Sequence, residues 1–260
     1  MEILIIVVPL AIIVLVIFLL FISNSNKDFL VQIFKRNNIV VFGKKGSGKD
    51  LLFSMIINRR KQFYYSNIKY DTKKHLSINV NDLTLFPNTY ESLLNDKIEQ
   101  IDPNLKEKVD IYISDGGVIL PSQYDYLLDK KYPSLSIFYA LQRHLYNSNT
   151  HVNTQYLGRL YKKIREQADG YVRCEKVIFI GFFYIQLFTY YDRYESAERT
   201  LLPMPNKLLN GHLDAIKAQY DATNGLIKPM FILGLKSSLK YDSRHFKHVF
   251  FKNLKDKNRR

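Results

Sequence analysis

The sequence predicts an α/β fold in which a central, mostly parallel sheet lies between two layers of helices, with one transmembrane helix in front. Three stretches carry this prediction. A strand, a glycine-rich loop and a helix follow one another over residues 39–60. A second apolar strand, residues 109–113, runs into an acidic residue, and an unbroken apolar run fills residues 3–22. Strands that alternate with helices favour a parallel sheet that is covered on both faces.

Residues 39–60 contain the pattern of a phosphate-binding loop. Apolar residues 39–42 predict a buried strand, Gly43-x-x-x-x-Gly48-Lys49 follows it, and residues 51–60 predict a helix. The glycines let backbone N–H groups point at an anion, the helix N-terminus adds partial positive charge, and the lysine reaches the β- and γ-phosphates. The sequence thus predicts the three-layer sandwich of a P-loop NTPase with bound ATP. The predicted nucleotide contacts are Gly43, Lys44, Lys45, Gly46, Ser47, Gly48, Lys49, Asp50 and Leu51. The alternative is a glycine-rich turn that binds no nucleotide.

The last position of the loop departs from the pattern. Asp50 stands where Ser or Thr normally gives a hydroxyl to Mg²⁺. A carboxylate also ligates Mg²⁺, but it adds negative charge beside a triphosphate. We therefore predict that Asp50 is a metal ligand in an altered loop.

The strand at residues 109–113 has the form of a Walker B strand. In P-loop ATPases the acid at the end of this strand orients Mg²⁺, directly or through water, and Asp115 is the candidate. The following residue is often Glu, which polarises the attacking water. Gly116 stands there, so the usual base is missing.

Other stretches predict the remainder of the sheet and its surroundings. Residues 150–154 predict a short strand, and a polar residue at its end, Gln155, faces the γ-phosphate region of an open α/β sheet or is an ordinary loop residue. Residues 157–168 predict a basic amphipathic helix that faces DNA, a neighbouring subunit or solvent. Residues 177–191 predict one strand or a hairpin of two, broken at Gly181.

The apolar run at residues 3–22 has the length of a bilayer core at about 1.5 Å rise per residue. Only Met1 and Glu2 precede it, and no small-residue cleavage site follows, so an uncleaved anchor is expected. Basic residues follow the run and none precedes it, which predicts an N-terminus outside and an ATPase domain in the cytoplasm. These basic residues are Lys27, Lys35, Arg36, Lys44 and Lys45.

Composition and spacing complete the domain organisation. The chain has 260 residues and a formal charge of +14, which suits nucleic acid, an anionic membrane, or the lysine-rich usage of an AT-rich genome. Its one cysteine, Cys174, excludes an internal disulfide and is typical of a reducing cytosol. We predict an anchor at 1–23, an amphipathic linker at 24–37, an ATPase domain at 38–200 and a C-terminal extension with a basic tail at 201–260. The linker is either a helix on the membrane or the first element of the domain.

Residues 142–173 carry a family resemblance. Gln142-Arg143-His144 leads into a strand that ends in Thr154-Gln155, and an Ile-Arg-Glu segment at 164–166 precedes Gly170-Tyr171. With the P-loop and the acidic strand, this order resembles the zonular occludens toxin (Zot)-like family, which includes the gene I assembly proteins of filamentous phages. The resemblance covers residues 38–200. The family commonly carries its membrane span after the ATPase domain, whereas here the span comes first.

The resemblance implies an FtsK/HerA-type ATPase in the inner membrane that assembles and extrudes a single-stranded DNA virion. It implies an oligomer, with a hexamer as one size, and phage coat or assembly proteins and single-stranded DNA as partners. By resemblance, Lys49 binds phosphate with Gly43 and Gly48, Asp115 supports Mg²⁺, Gln155 senses the γ-phosphate and Arg143 stabilises charge. Two alternatives stay open: a DNA packaging or conjugative coupling ATPase, and a nucleotide-binding scaffold without turnover, which Asp50 and Gly116 favour.

Overall fold

The computed structural model describes residues 2–60, 64–68, 70, 75–77, 110–120, 122, 139, 148–199 and 226–235. The helices are α1 (Glu2–Arg36), α2 (Lys49–Arg60), α3 (Gly116–Ile119), α4 (Lys162–Gln167) and α5 (Tyr194–Arg199), with a 3₁₀ turn at Leu157–Arg159. The strands are β1 (Ile39–Phe42), β2 (Tyr64–Ser66), β3 (His75–Ser77), β4 (Asp110–Ile113), β5 (Thr150–Thr154), β6 (Gly170–Ile180), β7 (Phe183–Tyr191) and β8 (Ile227–Leu235).

The described strands form one eight-stranded sheet in the order β3-β2-β4-β5-β1-β6-β7-β8. Every pair from β3 to β6 is parallel, and the β6–β7 and β7–β8 pairs are antiparallel. The predicted mostly parallel α/β sheet is confirmed. Since β1 lies between β5 and β6, the loop that follows β1 leaves the sheet at its middle, beside the end of β5. This is the position at which open α/β sheets bind ligands.

Both faces of the sheet are covered, as the continuous apolar run of β1 predicts. Alternate residues of β1 enter two separate cores: Ile39 and Val41 pack with α1 and α2, and Val40 and Phe42 pack on the opposite face. Parallel strands that are buried on both faces read as unbroken apolar runs for this reason. The three-layer arrangement is therefore the observed one.

The long helix α1 joins the apolar run to the α/β domain without a break. Its side chains from Val7 to Phe21 are largely exposed, whereas Leu30 and Phe34 are fully buried against the sheet. Of the residues that the structure describes, α1 is the one helix long and apolar enough to cross a membrane. The predicted linker is thus the second half of this helix, and it packs as the first structural element of the domain.

The basic helix predicted at 157–168 is divided in the structure. The 3₁₀ turn and α4 are separated by Leu160 and Tyr161, whose backbones are extended and whose side chains are buried. The N–H of Tyr161 donates to the carbonyl of Leu120 at 2.9 Å. The prediction of one helix was wrong because this tertiary contact and the burial of both side chains outweigh helical propensity.

The hairpin alternative for residues 177–191 is the correct one. β6 and β7 pair antiparallel, and Gly181, with φ +54°, makes their turn. β8 lies in the segment assigned from sequence to a C-terminal extension, and it pairs with β7 along nine residues as the last strand of the sheet. Residues 201–225 and 236–260 of the predicted extension, with its basic tail, lie outside the described residues.

Candidate nucleotide-binding site

The loop between β1 and α2 has a backbone that only glycine accommodates. Gly43, Gly46 and Gly48 have φ angles of +150°, +79° and +89°. A Cβ on Gly43 would lie 2.2 Å from the carbonyl oxygen of Cys174, and one on Gly48 would lie 2.5 Å from Val177. The predicted phosphate loop therefore has the conformation that its glycines were expected to permit.

Lys49 begins α2 and lies under the loop. Its side chain is buried, and Nζ donates to the carbonyl oxygens of Gly43 at 2.9 Å and Lys44 at 3.1 Å. The ammonium group is thereby held at the helix N-terminus, where the partial positive charge of the helix also acts. The charge of Lys49 and the N-terminus of α2 thus lie together, which suits a phosphate.

The hairpin supports the loop from the side, through a residue that sequence reasoning missed. The fully buried side chain of Gln186, in β7, donates from Nε2 to the carbonyl of Gly48 at 2.8 Å. The same nitrogen lies 3.6 Å from Sγ of Cys174, whose pKa is raised to about 12 by burial. The available signal was a glutamine in the middle of an aromatic strand, where an amide needs a buried partner.

Asp50 is the hub of a polar network below the loop. Its Oδ1 accepts hydrogen bonds from Tyr70 Oη at 3.2 Å, Ser114 Oγ at 2.8 Å and Asn153 Nδ2 at 2.7 Å. Ser114 follows β4 and exchanges two further hydrogen bonds with Asn67, at 2.8 and 2.9 Å. The start of α2 is therefore tied to the ends of β2, β4 and β5.

Asp115 is held in a left-handed conformation beyond β4, with φ 54° and ψ 43°. Its N–H donates to Oδ1 of Asn153 at 2.8 Å, so one asparagine positions both Asp50 and Asp115. The pKa of Asp115 is raised by burial and by the charge of Asp50, against the opposing charges of Lys49 and Lys45. Two acids that repel each other across one cavity suit a divalent cation.

Few protein side chains near this cavity could ligate such a cation. Within the described part of the chain, no group of three His, Cys, Asp or Glu residues is placed to hold a metal. Mg²⁺ is commonly bound by one or two carboxylates, with phosphate oxygens and water as the other ligands. Asp50 and Asp115 fit this donor set.

A cavity of about 460 Å³ joins these groups. It contains most of the predicted site residues and adds two from β6, Val177 and Phe179. Its lining is Lys45, Gly46, Gly48, Lys49, Asp50, Leu51, Asp115, Gln155, Val177 and Phe179. Of the other predicted contacts, Lys44 is exposed on the loop while Gly43 and Ser47 are buried beneath it. Arg143 lies outside the described residues.

The residue after Asp115 has no space for a side chain. A Cβ on Gly116 would lie 2.2 Å from Cγ1 of Val152 and 3.1 Å from Cδ1 of Leu160. A glutamate in this position would have to displace β5. The packing around this turn therefore excludes the usual glutamate base, and substitution of Gly116 alone would not restore it.

A scan against protein-family models gives no match to this chain, and a search of curated proteins gives none either. Solved structures do resemble it. They include the genome packaging NTPase B204 of Sulfolobus turreted icosahedral virus 2 with ATP-gammaS (15% identity, TM-score 0.39, 54% of this chain and 75% of that one). The N-terminal domain of zonular occludens toxin from Neisseria meningitidis has 10% identity and a TM-score of 0.36, over 81% of this chain and 97% of that one. EccC ATPases 2 and 3 of Thermomonospora curvata have 10% identity and a TM-score of 0.37, over 54% and 30%.

Proposed function

We propose that this chain is a membrane-anchored ATPase that drives assembly and extrusion of a filamentous, single-stranded DNA phage. The observation that carries the ATPase proposal is the convergence of Lys49, Asp50 and Asp115 on one cavity beneath a glycine loop. The resemblance of residues 142–173 to Zot-like proteins supports the phage role. The exposed apolar half of α1 supports the anchor.

The roles in hydrolysis follow from charge and position. Loop N–H groups and Lys49 hold the β- and γ-phosphates and stabilise the charge that develops during transfer. Asp50 and Asp115 would hold Mg²⁺, which neutralises phosphate charge when it is bound. Gln155 lies at the wall of the cavity, where an amide orients the attacking water in place of the absent glutamate. Arg143 is proposed to stabilise charge on the resemblance alone.

The proposed partners follow from the same resemblance and from charge. We expect further copies of this chain, in a ring of six or another size, and phage coat or assembly proteins. The net charge of +14 is compatible with single-stranded DNA as cargo and with an anionic membrane surface. The localisation proposed is the host membrane, with the N-terminus outside and the ATPase domain in the cytoplasm.

A second function, a nucleotide-binding scaffold without turnover, is favoured by one observation. The packing at Gly116 excludes a base in the usual position. In that case ATP would be bound and would order the loop, but phosphate would not be released.

The deciding experiment compares ATP binding and phosphate release by the full chain in lipid nanodiscs with the same measurements on Lys49→Ala. Lys162→Ala is the matched control, because Lys162 is an exposed lysine of α4 outside the cavity. A motor requires Mg²⁺-dependent phosphate release that is lost in Lys49→Ala and retained in Lys162→Ala. Binding without release, with single-stranded DNA present or absent, would leave the scaffold. No binding at all would rule out both functions.

A further inference from the structure

The end of the β6–β7 hairpin exposes a cluster of large apolar side chains. Phe179, Ile180, Phe182 and Phe183 are 54%, 56%, 84% and 47% exposed. Gly181 between them makes the turn, so these side chains lie at the end of the hairpin, where β8 also ends by pairing Leu235 with Phe183. Contiguous exposed apolar surface of this kind marks a contact with a partner or a membrane.

Hydrogen bonds fix the position of this hairpin end relative to α1. Asn26 Nδ2 donates to the carbonyl of Phe231 at 2.9 Å, and Ser23 Oγ accepts from the N–H of Leu233 at 2.8 Å. β8 therefore runs alongside α1 toward its apolar half. Two residues further along β8 lies Leu235, which pairs with Phe183 of the hairpin.

The hairpin end reaches the level of the apolar run. Leu20, Phe183 and Leu235 line one groove on the surface. The two residues from Leu233 to Leu235 advance by about 7 Å, and the three from Ser23 back to Leu20 by about 4.5 Å, so both segments rise to a similar height. Leu20 lies in the last turn of the predicted span at 3–22, which places Phe183 at the boundary of the bilayer.

We infer that the β6–β7 hairpin end inserts into the membrane beside α1 and forms a second, interfacial contact with phospholipid. This inference rests on the proposed membrane anchoring. There the Phe and Ile side chains of the cluster would be removed from water, as the apolar face of an interfacial segment is.

The charges beneath the cluster suit anionic headgroups. Lys27 and Arg59 line the same groove as Phe183. Burial and the neighbouring charge of Arg59 lower the pKa of Lys27, against the opposing charge of Asp28, which pairs with Arg59. Two cations beside one carboxylate leave a net positive charge in the groove, which suits a lipid phosphate. The apolar hairpin end would thus meet the acyl chains, and the basic groove below it would meet the headgroups.

The contact has a consequence for the nucleotide site. Val177 and Phe179 belong to the same hairpin and line the cavity at the P-loop. An inserted hairpin therefore holds the nucleotide cavity close to the membrane surface, on the side of the domain from which α1 enters the bilayer.

The test uses tryptophan, because the chain contains none. Three single variants of the full chain, Phe182→Trp, Phe18→Trp and Gln32→Trp, are reconstituted into vesicles of phosphatidylcholine and phosphatidylglycerol with bromine on the acyl chains. Phe18 lies in the apolar run, and Gln32 is an exposed residue near the other end of α1. We expect bromine to quench Phe182→Trp several-fold more strongly than Gln32→Trp, and less strongly than Phe18→Trp.

The three positions distinguish failure of the hairpin contact from failure of the proposed anchor. Quenching of Phe18→Trp, with Phe182→Trp no more quenched than Gln32→Trp, overturns the hairpin contact and leaves the anchor standing. If Phe18→Trp is also unquenched, the anchor itself fails. Emission of Phe182→Trp that is shifted to the blue, unquenched by bromine and dependent on protein concentration would mean an interface between copies of this chain, which also overturns the inference.

Discussion

Asp50 replaces the usual hydroxyl of the P-loop with a carboxylate that has two tasks. One oxygen, Oδ1, accepts three hydrogen bonds from the network below the loop. The residue also lines the cavity with Asp115, whose pKa its charge raises. A neutral Ser or Thr hydroxyl would supply negative charge neither to the hydrogen-bond network nor to the cavity. The substitution is therefore built into the surrounding structure through Ser114 and Asn153.

Asp50→Asn tests the charge while keeping the shape. Its amide oxygen still accepts hydrogen bonds, but one of the two proposed metal ligands loses its charge. We expect the Mg²⁺ concentration needed for half-maximal ATP binding to rise by about ten-fold, which corresponds to about 1.4 kcal/mol. The measurement is a titration of a fluorescent ATP analogue at a series of Mg²⁺ concentrations. Tighter ATP binding at an unchanged Mg²⁺ requirement would show that Asp50 only repels the triphosphate.

The same variant shifts the acid limit of metal binding. Removal of the Asp50 charge lowers the pKa of Asp115 toward its usual value, and Asp115 must be deprotonated to ligate a cation. The loss of Mg²⁺-dependent binding on acidification should therefore occur at a lower pH in Asp50→Asn than in the unmodified chain. Equal acid profiles for the two proteins would separate Asp115 from the metal.

Gly116 tests the packing that excludes a base. Gly116→Ala places a Cβ within 2.2 Å of Val152, and overpacking of this kind costs about 1–3 kcal/mol of unfolding free energy. Gly158→Ala is the matched control, because a Cβ there meets nothing within 4 Å. Thermal unfolding followed by circular dichroism should show a lower midpoint for Gly116→Ala alone. Equal midpoints would mean that β5 yields and that position 116 tolerates a side chain.

At the scale of elements, a buried charge cluster joins α1 and α2 to the sheet at the end opposite the P-loop. The guanidinium of Arg60, the last residue of α2, bonds the carboxylate of Asp110 at the start of β4. It also donates to the carbonyl of Phe34 near the end of α1, at 3.2 Å. His151 of β5 lies 3.7 Å from the same carboxylate. The C-terminal ends of α1 and α2 thus meet at one cation, Arg60.

The neighbouring arginines Arg59 and Arg60 form a natural comparison. Arg60→Met leaves the buried Asp110 without its main counter-charge and should lower the unfolding free energy by about 3–5 kcal/mol. Arg59→Met breaks an exposed pair with Asp28 and should cost about 1 kcal/mol or less. Denaturant or thermal unfolding of the two variants gives the comparison. Similar losses in both would mean that the buried pair contributes no more than the surface pair.

The buried pair also sets an acid dependence. Burial alone would raise the pKa of Asp110, but the neighbouring imidazole of His151 and the charge of Arg60 lower it below its usual value. A carboxyl with a depressed folded pKa stabilises the fold above its unfolded pKa of about 4, and this stability is lost as the pH falls through the folded value. In Arg60→Met the folded pKa of Asp110 rises while the unfolded pKa is unchanged, so the loss of unfolding free energy on acidification should be smaller than in the unmodified chain, as denaturant unfolding at a series of pH values would measure.

The sequence predicts the elements whose residues are contiguous and misses the contacts that join them. β1, the P-loop and α2 follow one another along the chain, so a local pattern predicts the strand, the glycine loop and the helix. Gln186 lies 138 residues from the Gly48 carbonyl that it supports, and Asn153 lies 103 residues from Asp50. No local pattern relates such partners, because the sheet order brings them together. The break between the 3₁₀ turn and α4 at Leu160 and Tyr161 could not be predicted for the same reason, because it depends on a contact with the distant Leu120.

At the scale of the whole molecule, α1 is the proposed anchor and also part of the fold. Its exposed apolar half has the length of a bilayer core, and its other half is buried against the sheet through Leu30 and Phe34. In the proposed anchored state, one continuous helix makes both parts, so the helix and not a flexible linker would set the orientation of the domain relative to the membrane. The P-loop end of the sheet then faces the bilayer.

The topology of this arrangement can be tested with single cysteines. Cys174 is buried and its pKa is raised to about 12, so the native chain should react little with a membrane-impermeant maleimide. Ser25→Cys places an exposed thiol just after the apolar run. Glu2→Cys adds a second labelling position, before the run. We expect inside-out vesicles to label Ser25→Cys only and right-side-out vesicles to label Glu2→Cys only, because the basic residues that follow the run stay on the cytoplasmic side. Labelling of both positions from one side would mean that α1 lies along the membrane instead of crossing it, and the reversed pattern would place the nucleotide cavity where no cytosolic ATP reaches it.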